Sequence, residues 1–174
     1  PEPQTDGERR AGQVWRFPVV YPDGARDAEA LVVSPAGDQF WIIEKKEEGP
    51  VRVFGHPGPL TDGVSATLAA SPPFEPPGID LDRGRMITAA DLHPSASRLL
   101  VRVYTGTYEY RFGAGQGPMD LGAITPQVVA LGPLSEPQGE TVAYDETGRG
   151  VVTVSEDRER QPGQPLHYYP CETP

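Results

Sequence analysis

The chain has 174 residues, 37% of them hydrophobic and 23% charged, so its length suits one domain or a part of a larger one. Its net charge of −10 argues against binding to nucleic acids and to anionic membrane surfaces, because both need a basic face. No apolar run approaches the roughly 20 residues of a membrane-spanning helix, so the sequence predicts no membrane span.

In chain order, residues 1–12 are polar and predict an extended arm or linker ahead of residues 13–174. The chain begins at Pro1 rather than Met and shows no signal peptide pattern, so we expect that an upstream segment has been removed. Apolar stretches then alternate with turns that use most of the 20 Gly and 21 Pro residues. This alternation of apolar stretches and turns is typical of a chain with many short strands. No long stretch of the sequence keeps its apolar residues at the spacing of an amphipathic helix.

Three stretches, 29–45, 88–104 and 140–156, follow one template of strand, tight turn and strand, and they align without a gap. Equivalent positions lie 59 and 52 residues apart, since 88 − 29 is 59 and 140 − 88 is 52. A repeat with such a period indicates an array of similar units, and propeller blades are the array that these strands favour.

The strands around this template group into three units, at about 13–57, 64–112 and 127–170. The sequence therefore predicts an all-β fold of three consecutive four-stranded blades, which is half of a six- or seven-bladed β-propeller. A β-sandwich, which also spaces its strands closely, is the alternative.

Three blades would leave two apolar faces without a neighbour, because a closed propeller needs about 4–8 blades. We expect the missing blades to come from an N-terminal half of the same propeller or from a second copy of this chain. The one cysteine, Cys171, excludes an internal disulfide framework, but it could pair with that partner in an oxidising compartment.

Four segments resemble, in order, motifs of a family of secreted bacterial β-propeller proteins. YPDGARDAEAL at 21–31 is similar to the family's YPDG-x-x-DAEAL, and ITAADLHP at 87–94 is similar to its TAADLSPDG. VRVYTGTYEY at 101–110 is similar to VRTY-x-x-AYEW, and EPQGETVAY at 136–144 with VTVSE at 152–156 is similar to EPQGEAIAY…TTSEG. The resemblance covers about 20–170, and it implies the C-terminal half of a propeller and a secreted or periplasmic location. It implies no activity.

The sequence departs from that family at HPSA, residues 93–96, which lacks the Asp-Gly turn of the motif. We therefore expect an irregular hairpin in the second unit.

Equivalent positions of propeller blades ring the central channel, so the repeat predicts that Glu29 and Glu140 converge at one mouth. Lys45 and Glu156 take equivalent places at the end of the following strand. Arg102 lies two residues before the end of its strand, on the same face as the last residue. These five side chains are the candidate ligand-binding residues of the channel.

Gathered carboxylates suit a divalent cation such as calcium, or acid–base chemistry. Asp27, Glu29 and Glu140 are the candidate metal ligands. The alternative is a structural network, in which these charged side chains pair with one another at the strand ends.

Two functions are compatible with these patterns. The first is a secreted or periplasmic propeller segment that acts as a binding and interaction module. The alternative is a metal-assisted hydrolase of the phytase-like or esterase-like propeller type, which would use the carboxylates with a divalent metal. The sequence contains neither a nucleophile elbow nor a phosphate-binding Gly loop, and it leaves open whether the protein is an enzyme.

Overall fold

The computed structural model describes residues 14–80, 83–131, 136, 139–156 and 165–171, so the predicted arm at 1–12 lies outside the described residues. Regular structure in the described part is almost entirely β, which confirms the all-β prediction. Its strands are β1 (Val19–Val20), β2 (Ala28–Val33), β3 (Phe40–Glu44), β4 (Val53–Gly55), β5 (Ala66–Thr67), β6 (Ala69–Ala70), β7 (Ile87–Leu92), β8 (Arg98–Val103), β9 (Gly106–Arg111), β10 (Gln127–Val129), β11 (Gly139–Tyr144), β12 (Gly150–Ser155) and β13 (His167–Pro170). A short 3-10 helix, η1 (Pro118–Ala123), lies between β9 and β10. No helix of this described part is long and apolar enough to cross a membrane.

Three antiparallel sheets follow one another along the chain. The first sheet has the order β2-β3-β4-β6, the second β7-β8-β9-β10 and the third β11-β12-β13. Each sheet begins with a hairpin from the repeated template, since β2 pairs with β3, β7 with β8 and β11 with β12. The short strands β1 and β5 form a separate parallel pair.

The three hairpins share one turn geometry. The amide of Gly37 donates to the carbonyl of Ser34 at 2.8 Å, and Gly148 makes the equivalent bond at 3.0 Å. Both glycines have a positive φ, 72° and 69°. In the second hairpin Ala96 takes this place with a φ of 57°, and its amide donates to the carbonyl of His93 at 2.7 Å. The expected irregularity is therefore limited to backbone strain at Ala96, because the hydrogen bonds of the turn are kept.

The sheets pack on one another in chain order, with their first strands adjacent: β2 contacts β7, and β7 contacts β11. One hydrophobic cluster joins the first sheet to the second, and it includes Ala30, Val32, Ile43, Ala90, Leu92, Leu99 and Val101. Another cluster joins the second sheet to the third, through Leu100, Val142, Tyr144 and Val151. Apolar burial between sheets is therefore the main source of stability in this part of the chain.

The grouping of the edge strands differs from the sequence expectation. The sequence predicts that 127–131 opens the third unit, but β10 pairs with β9 and completes the second sheet. Within 64–70, predicted to open the second unit, β6 pairs with β4 and completes the first sheet. The sheets therefore span 28–70, 87–129 and 139–170. These edge strands have two or three residues, too few for their side-chain pattern to specify a partner.

Candidate functional site

The first strand of every sheet carries a bulge at the first position of the repeat. The pairing register shifts at Glu29, which lies between Ala28 and Ala30, and it shifts in the same way at Thr88 and at Glu140. A bulge leaves one residue outside the ladder and turns its side chain in a new direction. Because β2, β7 and β11 are adjacent, the three bulged residues begin neighbouring strands.

Four repeat-equivalent side chains form one hydrogen-bonded chain across the three sheets, which we call the inter-sheet network. Lys45 Nζ donates to Glu29 Oε2 at 2.5 Å and to the Tyr104 hydroxyl at 3.2 Å. The Tyr104 hydroxyl in turn donates to Glu140 Oε1 at 2.9 Å. The structure thus brings together Glu29, Lys45 and Glu140 among the predicted site residues, with Tyr104 as the link between them.

The network is partly sheltered from water. Lys45 is buried, whereas the side chain of Glu29 is 39% exposed. Burial acts to lower the pKa of Lys45, but its hydrogen bonds to Glu29 and Tyr104 outweigh burial and raise the pKa above its usual value. Burial also raises the pKa of Tyr104, so its hydroxyl stays protonated and can donate at neutral pH. Lys45, Tyr104 and the carboxylates of Glu29 and Glu140 are hydrogen-bonded to one another. This is the arrangement expected of a structural network of paired charges, the alternative to a ligand site.

Arg102 and Glu156 have different surroundings. Arg102 is buried, its guanidinium pairs with the carboxylate of Glu136, and it donates to the carbonyl of Thr141 at 3.0 Å. Glu156 follows β12 and is exposed, although Lys45 is buried at the equivalent position of the first unit. The five predicted residues therefore lie in three places. Glu29, Lys45 and Glu140 belong to the inter-sheet network, Arg102 belongs to a second, buried cluster, and Glu156 lies exposed after the end of β12.

Glu136 is the centre of that second cluster, and sequence reasoning did not identify it. Its side chain is 1% exposed, and it binds Arg102, the Thr153 hydroxyl at 2.5 Å and His167 Nδ1 at 2.8 Å. Burial acts to raise the pKa of Glu136, but these donors and the charge of Arg102 hold the pKa below its usual value. The cluster joins β8 to β12 and β13. Glu136 precedes Pro137, outside any strand, so no periodic pattern could have indicated it.

The candidate metal ligands do not gather around a vacant centre. Asp27 is exposed, and its backbone carbonyl accepts a hydrogen bond from the Lys45 amide at 2.9 Å. The ammonium of Lys45 binds Glu29 directly and is linked to Glu140 through Tyr104, so a cation placed there would meet a positive charge. Among the described residues, no three His, Cys, Asp or Glu side chains form a group that could hold a metal ion. The calcium prediction gains no support from this arrangement.

The first sheet leaves open a face that is covered in the other two sheets. Leu31 and Val33 are 61% and 48% exposed, and Phe40 and Ile42 beside them on β3 are half-buried. We call these four residues the open face. The equivalent residues of the second and third sheets are at most 8% exposed; they are Ala90, Leu92, Leu99 and Val101, and Val142, Tyr144, Val151 and Thr153.

The difference follows from position in the stack. In the second and third sheets this face packs against the preceding sheet. In the described part of the chain, only the short β1–β5 pair uses residues ahead of β2, and no antiparallel sheet precedes the first one; Phe17 lies beside Val33 and Phe40 at one border of the open face. The first sheet therefore presents to solvent a surface of the kind that its two neighbours bury.

The far side of the third sheet is also incompletely covered. Val152 and Val154 are half-buried, and Tyr168, opposite Val152 on β13, is 53% exposed. The residues of the second sheet that are equivalent to Val152 and Val154 are Leu100 and Arg102, which are 1% and 3% exposed. We call Val152, Val154 and Tyr168 the end face.

Comparisons with known proteins add no family to this description: no family model matches the chain, and no curated protein matches it.

Proposed function

We propose that the chain is a segment of a β-propeller that acts as a binding and interaction module. Its support is that three antiparallel sheets pack first strand against first strand in chain order, as the blades of a propeller do. The similarity of four segments to secreted propeller proteins favours a secreted or periplasmic location for the module.

The open face carries the proposal. Leu31 and Val33 are largely exposed although their equivalents, Leu92 among them, are buried in both other sheets. Contiguous exposed apolar surface of this kind supports an interaction site at this face. Because a neighbouring sheet covers these positions twice within the chain, the natural occupant is a further β-sheet. It would come from another part of the same propeller or from a second copy.

In this function the two polar clusters hold the sheets in a fixed arrangement. The inter-sheet network joins all three sheets through Lys45 and Tyr104. The buried pair of Arg102 and Glu136 joins the second sheet to the third. Buried charges allow few alternative packings, since a displaced charge loses its partner without regaining water. A rigid stack would keep the open face in a shape that is ready to dock.

Thiol accessibility tests the proposal with a matched pair of variants. In a Cys171→Ser background, Val33→Cys and Leu92→Cys place a thiol at equivalent positions of the first and second sheets. At high dilution we expect the V33C thiol to react with a maleimide at nearly the rate of an unfolded control. The L92C thiol should react at least about tenfold more slowly, because its site is buried.

The reaction rates of the same two variants, V33C and L92C, also report whether a partner docks on the open face. A partner that covers the open face should protect the V33C thiol and leave the rate for L92C unchanged. Equal protection of the two thiols at high dilution would contradict the proposal, because the open face would then be covered within the chain itself.

A further inference from the structure

We infer that the open face binds the end face of a second copy of this chain, so that two chains close head to tail into a ring of six sheets. This inference rests on the proposed function and names the occupant of its interaction surface.

The two contacts between sheets inside the chain establish the geometry. In both, the residues equivalent to the open face pack against the opposite side of the preceding sheet. That opposite side uses the positions of Ala30, Val32 and Ile43 in the first sheet. In the third sheet it is the end face, with Val154 at the position of Ile43. The described part of the chain thus carries both halves of its own inter-sheet contact, one on its first sheet and one on its third, and both are incompletely covered.

The number of sheets decides how many copies close the ring. Propellers close with about 4–8 blades, so the three sheets of the described residues are too few by themselves, and the sheets of three copies would exceed the range. Two chains give six sheets. A head-to-tail contact that closes with two-fold symmetry covers both faces of both copies and leaves no sheet for further growth.

The residues at the repeat position of Lys45, which follows the second strand of each sheet, are compatible with the head-to-tail order of sheets. Within the chain, Lys45 of the first sheet binds Tyr104, the equivalent residue of the next sheet. Glu156 is the equivalent residue of the third sheet, and it is exposed. In a closed ring it would lie next to Lys45 of the other copy, where a carboxylate faces an ammonium. Lys45 already binds Glu29, so a carboxylate at this position is compatible with the head-to-tail order, which rests on the two apolar faces.

Molecular mass and complementary variants test the inference. The wild-type chain should sediment at twice 18.8 kDa as concentration rises. Leu31→Lys alters the open face and Val152→Asp alters the end face, so each variant alone should be monomeric over the same range. An equimolar mixture should recover the dimer mass, because one contact pairs two wild-type faces and the other pairs Lys with Asp.

Val128→Lys is the matched control, since Val128 is 73% exposed on β10 and belongs to neither face; it should leave the dimer unchanged. Circular dichroism checks that each variant is folded. If V152D does not fold, Tyr168→Asp replaces it, because Tyr168 is exposed on the same face.

Three results would overturn the inference: a wild-type chain that stays monomeric at every concentration, a variant L31K that still dimerises, or a mixture that does not recover the dimer. An open series of larger species would overturn it as well. The thiol test separates this failure from that of the proposed function. A monomer with an accessible V33C thiol still has an open face for another occupant, whereas a monomer with a protected V33C thiol contradicts both proposals.

Discussion

Buried charge is the feature of this chain in which single residues have the largest effect. Arg102 and Glu136 are almost fully buried, and each satisfies the other. Removing one member of such a pair leaves the other charged and without water, which commonly costs about 3–5 kcal/mol. The pair also connects two sheets, so its loss acts on the stack as well as on local structure.

We predict that Glu136→Gln lowers the free energy of unfolding by about 3 kcal/mol, because Arg102 would remain buried without a counter-charge. Urea unfolding followed by circular dichroism measures the change. Glu47→Gln is the control, since Glu47 and Arg83 form an exposed ion pair that should contribute less than about 1 kcal/mol. Equal effects of the two variants would show that the Arg102–Glu136 pair contributes no more than a surface pair.

The lowered pKa of Glu136 predicts a pH dependence of defined sign. A carboxyl with a folded-state pKa below its ordinary value of 4.5 contributes stability above that value and loses it as pH falls through the folded pKa. The difference in unfolding free energy between wild type and E136Q should therefore be constant near neutral pH and shrink below about pH 4.5. A difference that stays constant into strong acid would contradict an ionised Glu136.

Tyr104 is the link of the inter-sheet network, and its hydroxyl can be removed without changing its ring. Tyr104→Phe takes away the acceptor of Lys45 and the donor to Glu140. We expect a loss of about 1 kcal/mol in unfolding free energy, measured by urea unfolding. Tyr168→Phe is the control, because the exposed Tyr168 hydroxyl binds only at the surface, to Asp145, and its loss should cost less. If Y104F unfolds like wild type, the network does not stabilise the stack.

At the scale of elements, the three hairpin turns repeat one backbone conformation with two different residue types. Glycine occupies the left-handed position at Gly37 and Gly148, and alanine occupies it at Ala96. For a residue with a Cβ, this left-handed conformation costs about 1–2 kcal/mol of steric strain. Glycine has no such strain, and its cost is mainly the larger backbone entropy that it loses on folding. The second hairpin is therefore under strain that the other two avoid.

We predict that Ala96→Gly raises the free energy of unfolding by about 0.5–1 kcal/mol, because it relieves this strain. Two reverse changes bracket the effect. Gly37→Ala meets no atom within 4 Å and should cost only the backbone strain, whereas a Cβ at Gly148 would lie 1.9 Å from His93 Nε2. Gly148→Ala should therefore cost clearly more than G37A. Denaturant midpoints measure all three, and a destabilised A96G would contradict the strained turn.

The hairpins were predictable from sequence because their determinants are local. Alternating apolar residues on both sides of a turn define β2 with β3, β7 with β8 and β11 with β12, and the repeat confirms the register. The edge strands were not predictable in the same way. β6 and β10 choose their partners through tertiary packing, and their two or three residues carry no pattern that distinguishes one sheet from another.

At the scale of the whole molecule, the repeat predicted part of the site. Equivalence along the chain placed Glu29, Lys45 and Glu140 together, because equivalent strands of stacked sheets are neighbours. It could not show that Tyr104 lies between the carboxylates, nor that Arg102 pairs with Glu136, a residue outside the described strands. Pairings between side chains of different sheets depend on rotamers and burial, which a linear pattern does not contain.

The open face is the central claim of this account, and the stability of equivalent variants tests it most directly. Val33→Ser and Leu92→Ser change equivalent positions of the first and second sheets, one 48% exposed and the other 7% exposed. Unfolding is measured in urea at high dilution, so that only the single chain contributes. We expect L92S to lose about 3 kcal/mol, as for a truncated core residue, and V33S to lose less than about 1 kcal/mol. Similar losses at both positions would contradict the account, because Val33 would then be as buried as its equivalent.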